Sequence, residues 1–188
     1  LVNKFGIMNL HDLQIEEERG LNRAYATLFS EVRLDTAISC ELIRHVHSRV
    51  FGDLYEWAGR WRTVQISKPG AIWPAAQFLQ DSMQTFESDV LSKFSPAPSL
   101  DDDAFCNLLG EIQGEFLAIH PFREGNARTI KLVTDLMAAQ TGRPVLRYDQ
   151  SVDGQRSYIS AASAALSKKD YAQMVAIIRE ALLRAMAD

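Results

Sequence analysis

Residues 120 to 131 read HPFREGNARTIK. They join a histidine, an acid, a glycine, an asparagine and three cations in one short run, and a packed core needs none of these. Gly125 lets backbone approach a ligand closely. Asn126 is placed to cap the helix that follows. The amino end of that helix offers free N–H groups and the positive end of a dipole, which together favour an anion. Arg128 falls in its first turn, where a cation opposes the dipole, and a bound anion would remove that conflict. Lys131, three residues on, shares its face. Two cations beside a helix amino end suit a polyphosphate. Glu124 with phosphate oxygens is a usual way to hold Mg²⁺. His120 titrates in the range of a general base at neutral pH. Phe122 is expected to point inward and anchor the loop.

Taken singly, each residue has an ordinary explanation. A histidine before proline is more often structural. Glu124 and Arg128 stand four apart and could form a surface ion pair worth a few tenths of a kcal/mol, about 0.2–0.5. Asn126 could be a cap and nothing more. Their coincidence in so short a run reverses the odds.

The flanking elements have to position this loop. Residues 9 to 33 read as one or two helices, with Asn9 or Asp12 as cap and acids early. Asp35 or Thr36 is expected to cap the next helix, whose stripe is Ile38, Leu42, Val46 and Val50 and which Gly52 stops. RTVQIS, residues 62 to 67, alternates polar with β-branched and predicts a strand. With a turn at Lys68, Pro69 and Gly70 it makes a hairpin over 61 to 73. Pro74 then opens a helix over 75 to 94, which SPAPS breaks. From Asp101 a helix buries Phe105, Leu108, Leu109, Ile112, Phe116 and Leu117. It ends at His120 because a residue before proline disfavours helix. Another helix runs from Asn126 to Gln140 and stops at Thr141-Gly142. Two more follow, over 154 to 165 and 168 to 186. The reading is an all-α single domain, 1 to 188, carrying one short β-hairpin.

Composition narrows the function. The 188 residues are 47% hydrophobic and 23% charged, as in a soluble globule with a real core. The net charge of -4 gives no nucleic-acid footprint. Cys40 and Cys106 lie far apart with no CxxC, which argues against zinc or a disulfide scaffold. With two reduced thiols, no spanning apolar stretch and no signal segment, the expected place is the cytoplasm, away from membranes. The chain opens without methionine, and a natural start upstream is expected.

HPFREGNAR resembles the signature of Fic proteins, written HxFx(D/E)GNGRxxR. Residues 45 to 70, HVHSRVFGDLYEWAGRWRTVQISKPG, resemble the Fic segment that leads into the hairpin called the flap. LVNKFGI, residues 1 to 7, resembles the region before the first helix of bacterial Fic proteins. The resemblance implies the Fic fold, a helical bundle with a β-hairpin flap, and a protein adenylyltransferase that moves AMP from ATP to a Tyr, Ser or Thr hydroxyl of a target protein. His120 would be the base and Glu124 the Mg²⁺ ligand between α- and β-phosphates. Gly125, Asn126 and Ala127 would form the anion hole. Arg128 would meet the β-phosphate and Lys131 the γ-phosphate. Val64, Ile66, Ser67, Lys68, Pro69 and Gly70 would dock the target on the flap by strand addition.

Two positions depart from the signature. Ala127 replaces a glycine, and Lys131 replaces an arginine, keeping the charge but losing the bidentate fork. A transferase using another nucleotide, phosphocholine or phosphate donor is one alternative, although Doc-like kinases carry lysine at position 127. A non-catalytic nucleotide-binding module is the other. Many Fic proteins are held inactive by a glutamate in the motif (S/T)xxxE(G/N). IEEERG, residues 15 to 20, has the wrong spacing for it, so the inhibitor is expected to be a separate small antitoxin-like partner or to lie on a missing terminus.

Overall fold

The computed structural model describes residues 1–68, 70–95 and 100–187. The turn residue Pro69 and most of the SPAPS breaker lie outside them. Among the described residues, seven α-helices and one two-stranded sheet make up the regular structure, with two short 3₁₀ turns. Among the described residues no helix is long and apolar enough to cross a membrane.

Helix α1 is a single run, Leu10–Glu31, capped by Asn9, whose side chain accepts from the N–H groups of His11 and Asp12. It packs on α2, Cys40–Phe51. Gly20 allows the close crossing, since a Cβ there would stand 2.1 Å from the Val50 carbonyl oxygen. The cap of α2 is Ser39, four and three residues beyond the expected Asp35 and Thr36. Thr36 is already used, its hydroxyl accepting from Arg33 N–H in the preceding turn.

The hairpin is shorter than the alternation predicts. Only Ser67–Lys68 (β1) and Ala71–Ile72 (β2) pair, antiparallel, in the register Ser67 to Ile72 and Lys68 to Ala71. Val64 and Ile66 lie outside the ladder. Side chains bridge the two arms there instead: Gln65 donates to Trp73 O at 2.8 Å, and Arg62 donates to Val64 O and Pro74 O. Alternation alone cannot supply a partner strand, and this segment has none. The predicted helix over 75 to 94 is likewise divided into a 3₁₀ turn Ala76–Phe78, α3 at Leu79–Asp89 and a second 3₁₀ turn Leu91–Lys93.

Helix α4, Asp102–Ile119, is capped by Asp101 and is the central element. It packs against α3, α5 (Asn126–Gln140), α6 (Val152–Lys168) and α7 (Ala172–Met186). Phe105, Leu109, Ile112 and Phe116 are fully buried along it, as the 3.6-residue period predicts. Leu108 lies at the margin, packed against the core while partly exposed.

Candidate functional site

The loop between α4 and α5 is held from inside. His120 ends α4 in the left-handed region, φ 52 and ψ 60, with its N–H still on Phe116 O at 2.8 Å. Phe122 is fully buried as expected and stacks on His47 with ring centroids 3.7 Å apart. Gly125 sits at φ 78, and a Cβ there would lie 2.3 Å from the Phe51 ring. Only glycine meets both conditions.

Asn126 does not cap α5. Its side chain folds back on the loop, accepting from Phe122 N–H and donating to Phe122 O, both at 2.9 Å. The N-cap is Gly125, and no side chain caps the helix. The asparagine is buried, so its amide has to find partners inside, and the loop backbone supplies both. This closes the loop into a rigid ring and leaves the first-turn N–H groups of α5 uncovered by any side chain.

His120 sits against the flap. Its ring lies 4.2 Å from that of Trp73 between centroids. Nδ1 is 3.2 Å from Leu117 O. A carbonyl only accepts, so the proton is on Nδ1 and Nε2 carries the lone pair. Burial is the main force on this ring and, with the Lys68 and Arg62 charges, brings its pKa down to about 4 against the opposing pull of the Leu117 bond. The imidazole is therefore neutral at neutral pH. Arg62, buried, donates through Nε to His120 O at 2.9 Å and through its other nitrogens to Val64 O and Pro74 O.

Across the loop, Arg128 is held by Glu17 of α1, Nη1 to Oε2 2.8 Å, and stands 3.6 Å from Glu124. Its guanidinium also lies over the Phe51 ring, 4.8 Å from the centroid. The first-turn cation that opposes the dipole is thus partly satisfied by Glu17. Glu124 is half-exposed, one oxygen accepting from Gly125 N–H at 2.9 Å. Lys131 lies over two rings, 4.3 Å from the Tyr148 centroid and 3.9 Å from that of Tyr158. Its burial pulls the ammonium down to about 8, opposed by the charge of Asp135. Ala127, Arg128 and Lys131 line one cavity of 540 Å³ with Tyr148, Asp149 and Tyr158. The two cations do share a face, as their spacing predicts. Ala127 is not among the residues with positive φ, so its methyl carries no backbone strain.

Sequence reasoning missed Glu17, His47, Arg62 and Trp73. His47 is the most informative of these. Gly59 N–H donates to its Nδ1 at 2.9 Å, so its Nε2 bears the proton and donates to Glu124 O at 3.1 Å. Burial, with Arg128 nearby, brings it down to about 4, which keeps it neutral. A histidine inside an apolar stripe, beside Val46 and Val50, was the available signal. Of the expected flap residues, Ser67, Lys68 and Gly70 form the hairpin, while Val64 and Ile66 lie in the arm before it.

A helical bundle whose central helix ends on a histidine, with an uncapped, cation-lined helix start after a glycine loop, has the architecture of a Fic-type domain. The sequence model of the Fic/DOC family matches residues 37–138, and the chain belongs to that family. Protein adenylyltransferase VbhT of Bartonella schoenbuchensis is 35% identical over 101 residues, 53% of this chain and 21% of that protein. Protein adenylyltransferase Fic of Nematostella vectensis is 28% identical over 145 residues, 75% of this chain and 33% of that protein. The chain thus spans a third or less of the length of these two relatives. The amino-terminal Fic domain of Bep8 from Bartonella sp. 1-1C superposes with a TM-score of 0.83 at 20% identity, over 97% of this chain and 90% of that one. BepC of Bartonella tribocorum with bound AMPPNP gives a TM-score of 0.78 at 15% identity, over 96% and 91%. At these identities the structural likeness defines the fold.

Proposed function

We propose that the chain is a protein adenylyltransferase, moving AMP from ATP to a Tyr, Ser or Thr hydroxyl of a protein target. The observation that carries this reading is one loop with a neutral histidine at its start and an uncapped helix amino end, next to Arg128 and Lys131, at its finish. The triphosphate would lie on the α5 amino end, where the N–H groups of Asn126, Ala127 and Arg128 offer donors. The 540 Å³ cavity beside it is of a size to take a nucleoside.

His120 Nε2 would take the hydroxyl proton from the target. The freed oxygen attacks the α-phosphorus, the bond to the bridging oxygen of the β-phosphate breaks, and pyrophosphate leaves. Positioning and charge stabilisation would supply most of the rate. Glu124, whose half-exposed carboxylate faces the α5 loop, would hold a Mg²⁺ ion together with phosphate oxygens and water. The ion would screen charge between the phosphates.

A second reading, transfer from a donor without a γ-phosphate, draws on one observation: Lys131 is engaged by Tyr148 and Tyr158. Incubating the chain and candidate target lysate with ATP labelled on either the α- or the γ-phosphate separates the readings. Adenylyl transfer labels protein from the α-position only, and His120→Ala abolishes it. No label from either position, with nucleotide binding intact, would leave the second reading or a binding module, and the same incubation with α-labelled ADP as donor tells these two apart.

A further inference from the structure

We propose that Trp73 is the positioning residue for the His120 imidazole, so that the far arm of the flap holds the base in one rotamer and one tautomer. The inference rests on the reading of His120 as the base. Three contacts carry it. The indole covers the imidazole, with centroids 4.2 Å apart and planes inclined by 33°. The indole Nε1–H donates to Leu117 O at 3.0 Å. His120 Nδ1 reaches the same carbonyl at 3.2 Å. Both rings therefore hang from one acceptor on the last turn of α4, which lies under them.

The backbone is fixed to match. Arg62 grips His120 O and also Pro74 O, the residue next to Trp73, at 2.6 Å. Arg62 N–H adds a bond to Pro121 O at 2.8 Å. The two ends of the flap and the left-handed backbone of His120 are thus joined in one clasp. A histidine free to flip about χ2 would present either nitrogen to a target. Here the stack blocks one side and the Leu117 carbonyl holds Nδ1–H, which leaves Nε2 as the acceptor. On this reading the indole, 4.2 Å away, is the cover that keeps water from that face of the imidazole. The charged groups acting on that ring are Lys68 from the flap and Arg62 from the segment before it. Removing the indole leaves both in place, so any change in titration reports the cover rather than those charges.

The test follows the four histidine rings of the full chain by NMR as pH is varied, with His120→Ala identifying the signal. In Trp73→Ala, the His120 midpoint should rise by about one unit or more as water reaches the ring. In Trp73→Phe, which keeps a ring over the imidazole, it should stay near the native value. The acid limb of adenylyl transfer should move with the midpoint while KM for ATP stays level. Trp73→Val, which keeps a small apolar side chain but leaves most of the indole's space open to water, gives the same reading should the alanine variant fail to fold. A His120 midpoint and tautomer unchanged in both truncations would overturn the proposal. A shifted midpoint with no transfer by any form supports the positioning role and refutes His120 as an adenylylation base.

Discussion

Arg128 on α5 and Glu17 on α1 stand 111 positions apart in sequence and meet through an Nη1–H to Oε2 bond of 2.8 Å. Glu17 is buried, and its other oxygen accepts from the Tyr55 hydroxyl at 2.5 Å. An acid is thus held against the cation that a phosphate would seek. Glu17→Gln keeps the shape and removes the charge. It should lower stability by about 1–2 kcal/mol, a value discounted because Arg128 is partly exposed. It should also tighten ATP binding several-fold, because phosphates no longer compete with a carboxylate. Denaturant unfolding and calorimetry read the two effects. Weaker ATP binding would make Glu17 an aid to Arg128 rather than a competitor.

The sequence shows the loop chemistry and hides what surrounds it. Gly125, Phe122 and the helix start at Asn126 are legible because backbone conformation and period are local. The use of the Asn126 side chain is not, since a cap and a loop staple require the same residue type. Glu17 was visible only as part of an acidic run, and its partner lies on another helix. The strand expected over 62 to 67 failed because alternation describes one strand and pairing needs two. The aromatic support of His120 by Trp73 depends on the flap folding back over α4, which no spacing within either segment encodes.

Acid should destabilise the protein in a defined window. His47 and His120 are held near 4 from an ordinary 6.5, mainly by burial. Between these values the unfolded chain binds more protons than the folded one. Their stabilisation is present above about 6.5 and is lost as pH falls towards 4. Burial raises Asp135 to about 6, which acts in the opposite direction over the same range. Two groups against one leave about one proton, a slope of about 1.4 kcal/mol per pH unit at most. Urea unfolding midpoints between pH 7 and 4 should fall accordingly. His47→Gln should flatten the fall, and an unchanged slope in that variant would remove His47 from the explanation.

Glu124→Gln tests the metal assignment without changing size. ATP binding with Mg²⁺ present should weaken by about tenfold or more, as for loss of a ligating carboxylate's supporting contacts. Binding in EDTA should hold steady or improve, because a negative charge near phosphate has gone. Calorimetry under the two conditions reads the difference. Equal affinity of the native chain for ATP with and without Mg²⁺ would remove the role.

Lys131 decides how much of the triphosphate is read. Its ammonium lies over Tyr148 and Tyr158 and is attracted by Asp135. Contacts of a cation with aromatic faces are worth about 0.5–2 kcal/mol each, more when water is excluded. A γ-phosphate has to compete with that hold. ATP and ADP should therefore bind the native chain within about tenfold of one another, a difference of about 1.4 kcal/mol. Lys131→Met should lower both affinities in similar proportion, because the residue contributes charge to the cavity more than it marks one phosphate. Lys131→Arg brings a longer, planar fork able to reach past the rings, and should widen the preference for ATP. Ala127→Gly added to it should quicken transfer from ATP while costing up to about 1 kcal/mol of stability, since alanine has ordinary helical geometry at this position. Calorimetry with ATP and ADP on the native chain and the Met and Arg variants, and initial rates for the double variant, check each step. A Lys131→Met chain that loses ATP affinity alone, with ADP unaffected, would show the lysine leaving its tyrosines for the γ-phosphate.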